Sequence, residues 1–132
     1  MKYVVTGGAG FIGSALIRHL LSIDHIEILN IDNLSYAGNL SSIPKELIND
    51  NYTFNKIDIC NYDDVNNQIK TFKPDKIMHL AAESHVDRSI DEPSAFIETN
   101  IIGTYTLLEE TRLYFKNLKD ADKNNFRFHH VS

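Results

Sequence analysis

The chain has no tryptophan, one cysteine and three prolines in 132 residues. A lone cysteine, Cys60, cannot close an internal disulfide or supply a cysteine metal cluster, so a reducing, cytoplasmic setting is expected and Cys60 should simply pack at a strand end. Clustered positive charge is also lacking. The 13 Lys and Arg are scattered among 18 Asp and Glu, for a net charge of −5. That leaves no footprint for nucleic acid or an anionic membrane surface. No apolar run approaches the roughly 20 residues that span a bilayer. Met1 leads straight into an apolar segment, so no charged and then apolar leader is expected. Function is therefore expected in a small-molecule site.

The chain is 42% hydrophobic and 23% charged, the proportions of a globular domain, and no linker or repeat divides it. Its most informative stretch is the first. Met1–Thr6 reads as a strand and runs directly into Gly7-Gly8-Ala9-Gly10-Phe11-Ile12-Gly13. Phe11, Ile12, Ala15, Leu16 and Leu20 then recur at helical spacing. A glycine-rich turn between a strand and a helix N-terminus presents free N–H groups to a pyrophosphate. Gly7 would permit the tight turn, Gly10 the approach of backbone to phosphate, and Gly13 close helix packing.

A second strand, Ile26–Ile31, ends at Asp32, 19 positions after Gly13. That is near the separation of about 20 expected for a carboxylate that accepts hydrogen bonds from an adenosine ribose. No Lys or Arg occurs between Asp32 and Lys45 to hold a 2′-phosphate, which favours NAD over NADP.

Strand and helix signals go on alternating. A long loop with a short helix near Lys45–Asn49 leads to a third strand, Tyr52–Ile59, and to a helix capped by Asn61 with Val65, Ile69 and Phe72 inward. Lys73-Pro74-Asp75 stops that helix. A fourth strand covers Lys76–Leu80. A long helix begins at Pro93, in which Ile97, Ile101, Tyr105 and Leu108 form one apolar stripe. Gly103 inside it suggests a close approach. A fifth strand spans Phe126–Ser132. The expected fold is an α/β doubly wound parallel sheet of order 3-2-1-4-5, with its ligand at the carboxyl ends where Gly7, Asp32, Asp58, Ala81 and Ser132 converge. One incomplete dinucleotide-binding domain is expected over residues 1–132, without a sixth strand or a substrate domain.

The segments Thr6–Gly13, Asp32–Asn39, Asp58-Ile59, Leu80–Ser89 and Asn100–Thr104 together resemble the extended short-chain dehydrogenase/reductase superfamily. Tyr36-Ala37-Gly38-Asn39 and Glu83–Ser89 are similar to its dTDP-glucose 4,6-dehydratase branch. The resemblance implies an NAD site in which Phe11 and Ile12 join Gly7, Gly10 and Gly13 at the phosphates. Asp32, Asn33, Leu34 and Ser35 would surround the ribose, and Asp58 and Ile59 would flank the adenine. Leu80, Ala81, Ala82, Glu83, Ser84 and Thr99 would line the nicotinamide half, with Ser84, His85 and Arg88 toward a dTDP-sugar. It further implies homodimerisation through helices near Leu107–Phe115. The implied reaction oxidises the sugar at C4, eliminates water across C5 and C6, and returns the hydride to C6. The Thr-Asp-Glu and Tyr-x-x-x-Lys groups that serve it in the family are expected to match no position of this chain, none of Tyr3, Tyr36, Tyr52, Tyr62, Tyr105 and Tyr114 being read as having a Lys four residues on, so no catalytic residue is expected in it. Two alternatives stay open: another NAD-dependent sugar-nucleotide epimerase or dehydratase, and a non-catalytic NAD-binding module.

Blander roles compete for several polar residues. His129 and His130 are adjacent on a strand and so face opposite sides, which argues against joint metal ligation. His79 should be buried and satisfied, Glu83 an orienting carboxylate, and Asp58 could cap the following turn. His85 stands between substrate contact and a structural hydrogen bond.

Overall fold

In a computed structural model describing residues 1–35 and 38–131, with Arg88 described by its backbone only, five parallel strands form one sheet of order β3-β2-β1-β4-β5. This is the expected order. Strand β1 is Lys2–Thr6, β2 Glu27–Asp32, β3 Tyr52–Lys56, β4 Lys76–His79 and β5 Arg127–His130. Helix α1 is Phe11–Leu21, α2 Tyr62–Phe72, α3 Val86–Asp91, α4 Pro93–Phe96, α5 Thr104–Lys116 and α6 Asp120–Asn125. The expected motif residues Tyr36 and Ala37 and the expected end of the last strand, Ser132, lie outside the described residues.

Alternation along β1 and β2 builds two cores. Val5 and Ile28 join Ile17 and Leu20 of α1 on one face. On the other, Val4, Leu29 and Ile31 meet Val65 and Ile69 of α2 and Leu107 of α5. Continuous apolar strands are what a sheet covered on both faces requires.

Strand β3 stops three residues short of expectation. The Asp58 carboxylate accepts from the Cys60 N–H at 2.9 Å, and the Asn61 N–H donates to the Asp58 carbonyl at 3.0 Å. This side-chain turn diverts the backbone from the ladder into α2. Asn61 caps α2 through the Asp64 N–H, as expected, and Lys73 ends it in the left-handed region at φ 55°. The loop after β2 carries two short 3₁₀ helices, Leu40–Ser42 and Lys45–Leu47, the second where a short helix was expected.

Two apolar patterns point elsewhere than the spacing suggested. On α1 the buried face is Gly13, Ser14, Ile17 and Leu20, while Phe11 is 93% exposed beside the glycine turn. The helix expected from Pro93 is interrupted by a π-helical stretch, Ile97–Gly103. Its stripe of Ile97, Ile101, Tyr105 and Leu108 faces outward, and Gly103, Thr106, Leu107, Glu110 and Thr111 face the sheet instead. The reason is local. A Cβ on Gly103 would stand 2.7 Å from Ile59 Cδ1, so the glycine lets this side of the helix settle onto the loop after β3 with the Ile59 side chain where it is. Among the described residues, no helix is long and apolar enough to cross a membrane.

Candidate functional site

The turn from β1 into α1 is built for an anion. Gly7 has φ 73°, and a Cβ there would lie 2.6 Å from the Ala81 nitrogen, so the turn presses directly on the backbone after β4. Gly10 precedes α1 in extended conformation, φ −75° and ψ 175°, with no side-chain cap. The first-turn amides of an uncapped helix have no partner inside it. A Cβ on Gly10 would meet nothing nearer than the Gly7 carbonyl oxygen at 3.3 Å, which leaves open space beside those amides. At Gly13 a Cβ would collide with that same carbonyl and come 2.8 Å from Gly8 Cα.

Asp32, at the end of β2, is 8% exposed. Its Oδ2 accepts from the Ala9 N–H at 2.9 Å and its Oδ1 from the Leu34 N–H at 2.8 Å. The carboxylate therefore braces the glycine turn and the loop after β2, and each oxygen keeps a lone pair for a further donor. The loop is tied back again where the Asn39 N–H donates to the Ala9 carbonyl and Arg18 to the Ser42 carbonyl at 2.7 Å.

Beyond β4, Asn100 clamps the backbone of Glu83. The Glu83 N–H donates to Asn100 Oδ1 at 2.8 Å, and Asn100 Nδ2 donates to the Glu83 carbonyl at 2.9 Å. Glu83 Oε2 is buried without a hydrogen-bond partner. His79, fully buried, bonds Thr6 Oγ1 through Nδ1 at 2.7 Å and Thr104 Oγ1 through Nε2 at 3.0 Å. Burial, and then the neighbouring His130 ring, push its pKa down to about 4. It is buried and satisfied, as expected. Cys60 is also chemically quiet, since burial and then Asp58 raise its thiol to about 11.

These pieces enclose one cavity of about 500 Å³ at the carboxyl ends of the strands. Gly7, Gly10, Phe11, Ile12 and Gly13 form one wall, Asp32, Asn33 and Ser35 a second. Leu80, Ala81, Ala82, Glu83 and Ser84 form a third, and Ile59 and Thr99 close the remaining side. Ile31, Ile57 and Val131 also line it, and sequence reasoning missed them. The signal available was their place at the carboxyl ends of β2, β3 and β5.

Other expected site residues stand apart. Leu34, Asp58 and His85 do not line the cavity. The Asp58 carboxylate is exposed and engaged by the Cys60 N–H, the capping role weighed for it above. Leu34 takes a left-handed turn at φ 53°, and the His85 carbonyl accepts from the Ser89 N–H. The side chain of Arg88 lies outside the described residues. One tyrosine does carry the Tyr-x-x-x-Lys spacing, Tyr52 with Lys56, which the expectation of no catalytic tyrosine passed over. Both lie on β3, where four residues separate side chains by about 13 Å, not one helical turn. The Tyr52 hydroxyl accepts from Asn30 Nδ2 at 2.9 Å, and neither residue lines the cavity.

The family model described as GDP-mannose 4,6 dehydratase matches residues 4–132. A dTDP-glucose 4,6-dehydratase of Salmonella typhimurium is 53% identical over all 132 residues, which span 37% of that relative. The chain thus spans little more than a third of the length of the curated relative. Among solved structures, a Bacillus anthracis dTDP-glucose 4,6-dehydratase in complex with NAD has a TM-score of 0.80 at 36% identity, covering 100% of this chain and 37% of that one. A Thermus thermophilus UDP-glucose 4-epimerase complex with NAD has a TM-score of 0.75 at 34% identity, covering 86% of this chain and 34% of the other.

Proposed function

The chain belongs to the GDP-mannose 4,6 dehydratase family, and from that membership we propose that its cavity is the NAD site of a dTDP-glucose 4,6-dehydratase, a hydro-lyase of nucleotide-sugar metabolism. The observation that carries the reading is the meeting of the glycine turn, Asp32 and the Ala81–Ser84 segment around one cavity. The residues suit this cofactor. Gly10 leaves open the space a pyrophosphate would fill, beside uncapped helix amides, and Asp32 keeps acceptor capacity for ribose hydroxyls.

In this reading Gly7, Gly10, Phe11, Ile12 and Gly13 hold the phosphates, while Asp32, Asn33 and Ser35 hold the adenosine ribose. Leu34 acts through its backbone, and Asp58 through the turn that places Ile57 and Ile59. Leu80–Ser84 and Thr99 line the nicotinamide half, with Ser84, His85 and Arg88 facing the dTDP-sugar. When bound, NAD would supply a hydride acceptor for oxidation at the sugar's C4 and a hydride donor for its return at C6. The acid and base groups of that chemistry are proposed to lie outside these 132 residues. The outward stripe of Ile97, Ile101, Tyr105 and Leu108 supports a homodimer, since it gathers apolar surface on one side of the helix. A UDP-sugar epimerase is the second reading, favoured by the likeness to the Thermus thermophilus enzyme.

Cofactor preference tests the site. Asp32 should favour NAD⁺ over NADP⁺, because its charge repels a 2′-phosphate and no cation lies within the next 12 residues. Asp32→Asn keeps an acceptor for the Ala9 N–H but removes the charge, so calorimetric titration should show the preference narrowed. Equal affinity of the unmutated chain for both cofactors would count against the assignment.

A further inference from the structure

His79, on β4, lies where the end of β1 meets the start of α5. Its Nδ1 is 2.7 Å from Oγ1 of Thr6, the last residue before the glycine turn. Its Nε2 is 3.0 Å from Oγ1 of Thr104, the first residue of α5. Thr6 Oγ1 also accepts the Ala81 N–H at 3.3 Å, and Ala81 lines the cavity while Thr104 and His79 do not. Ala81 is the residue against which Gly7 is pressed.

The donors and acceptors around the ring accommodate the tautomer with its proton on Nε2. With one lone pair of Thr6 Oγ1 taken by the Ala81 N–H, the hydroxyl hydrogen of Thr6 is free to point at Nδ1. In that arrangement Nδ1 accepts, and the ring proton on Nε2 is given to Thr104. The depressed pKa keeps the ring neutral and the pattern intact near pH 7.

We propose that His79 is a positioning residue: as its neutral Nε2–H tautomer it ties the start of α5 to Thr6 and Ala81, and so sets the gap between the glycine turn and the opposite wall of the cavity. The coupling is a claim about geometry; that this gap holds the nicotinamide half of NAD rests on the reading above. The His130 ring, with its centroid 4.8 Å away, and Phe128 at 6.1 Å press on the imidazole from β5.

The test uses Thr104, which is half-buried and outside the cavity lining, so that its replacement touches no ligand. Two-bond ¹H–¹⁵N correlation NMR on the unmutated chain should show the Nε2–H form of His79. A signal from the Nδ1–H form would overturn the proposal. Thr104→Val should release Nε2 into mixed tautomers and shift the Ala81 and Gly7 amides, and Thr104→Ser should restore them. NAD⁺ affinity should fall about tenfold in the valine variant, the effect of one buried hydrogen bond carried to the site, and recover with serine. A folded Thr104→Val chain with unmoved Ala81 and Gly7 amides would also overturn it. Moving amides in a chain that binds no NAD⁺ would keep the coupling and remove the cofactor reading instead.

Discussion

His79 shows how one side chain turns burial into a pH dependence. Unfolded, its imidazole should titrate near the ordinary value of about 6.5. Folded, burial and then His130 hold it at about 4. Between these values the unfolded chain binds the proton more readily, so folding stability is fully present above about pH 6.5 and lost as pH falls toward 4. At about 1.4 kcal/mol per pKa unit, the loss is about 3 kcal/mol by pH 4. Denaturant unfolding across that range should show this slope in the unmutated chain and a flatter one in His79→Gln. Identical slopes would mean that His79 does not titrate in this way. That His79 is buried could be read from its place in an apolar strand; that both its nitrogens meet threonines could not, because Thr6 and Thr104 are distant in sequence. Asp32 was legible in position but not in full, since its bonds to the Ala9 and Leu34 amides depend on the fold of the turn.

At the scale of elements, the five strands, α1, α2 and the helix from Pro93 followed from the alternation of strand and helix signals, whereas α3, α6 and the element boundaries did not. Asp58 reads as the tail of an apolar strand until its carboxylate is seen to take the Cys60 amide and turn the chain. The stripe beginning at Ile97 misled for a different reason. The side that packs carries Gly103, Thr106, Leu107, Glu110 and Thr111, with Leu107 its one large apolar residue, and what decides between the two sides is a contact, not a period. Gly103 is the residue that makes the contact, with its hydrogens facing Ile59 and Cys60. Gly103→Val should push that helix off the loop and lower stability by about 1–3 kcal/mol, the usual cost of overpacking. A melt unchanged or raised by the substitution would show that the helix does not need this approach.

For the whole molecule, the sheet gathers residues far apart in sequence at one end, and the account stands on that convergence being a cofactor site. Gly10 offers the cleanest probe. Its backbone conformation suits any residue, and a Cβ there would lie 3.3 Å from the Gly7 carbonyl oxygen and near no other atom, so a shift of a few tenths of an ångström should let the fold accept a substitution that the space for a pyrophosphate does not. The decisive measurement is calorimetric titration of NAD⁺ into the unmutated chain and into Gly10→Val, with circular dichroism confirming that both are folded. The account predicts saturable binding at one site per chain in the first and none in the second. Absence of binding by the folded unmutated chain, or equal affinity in the two, would contradict it.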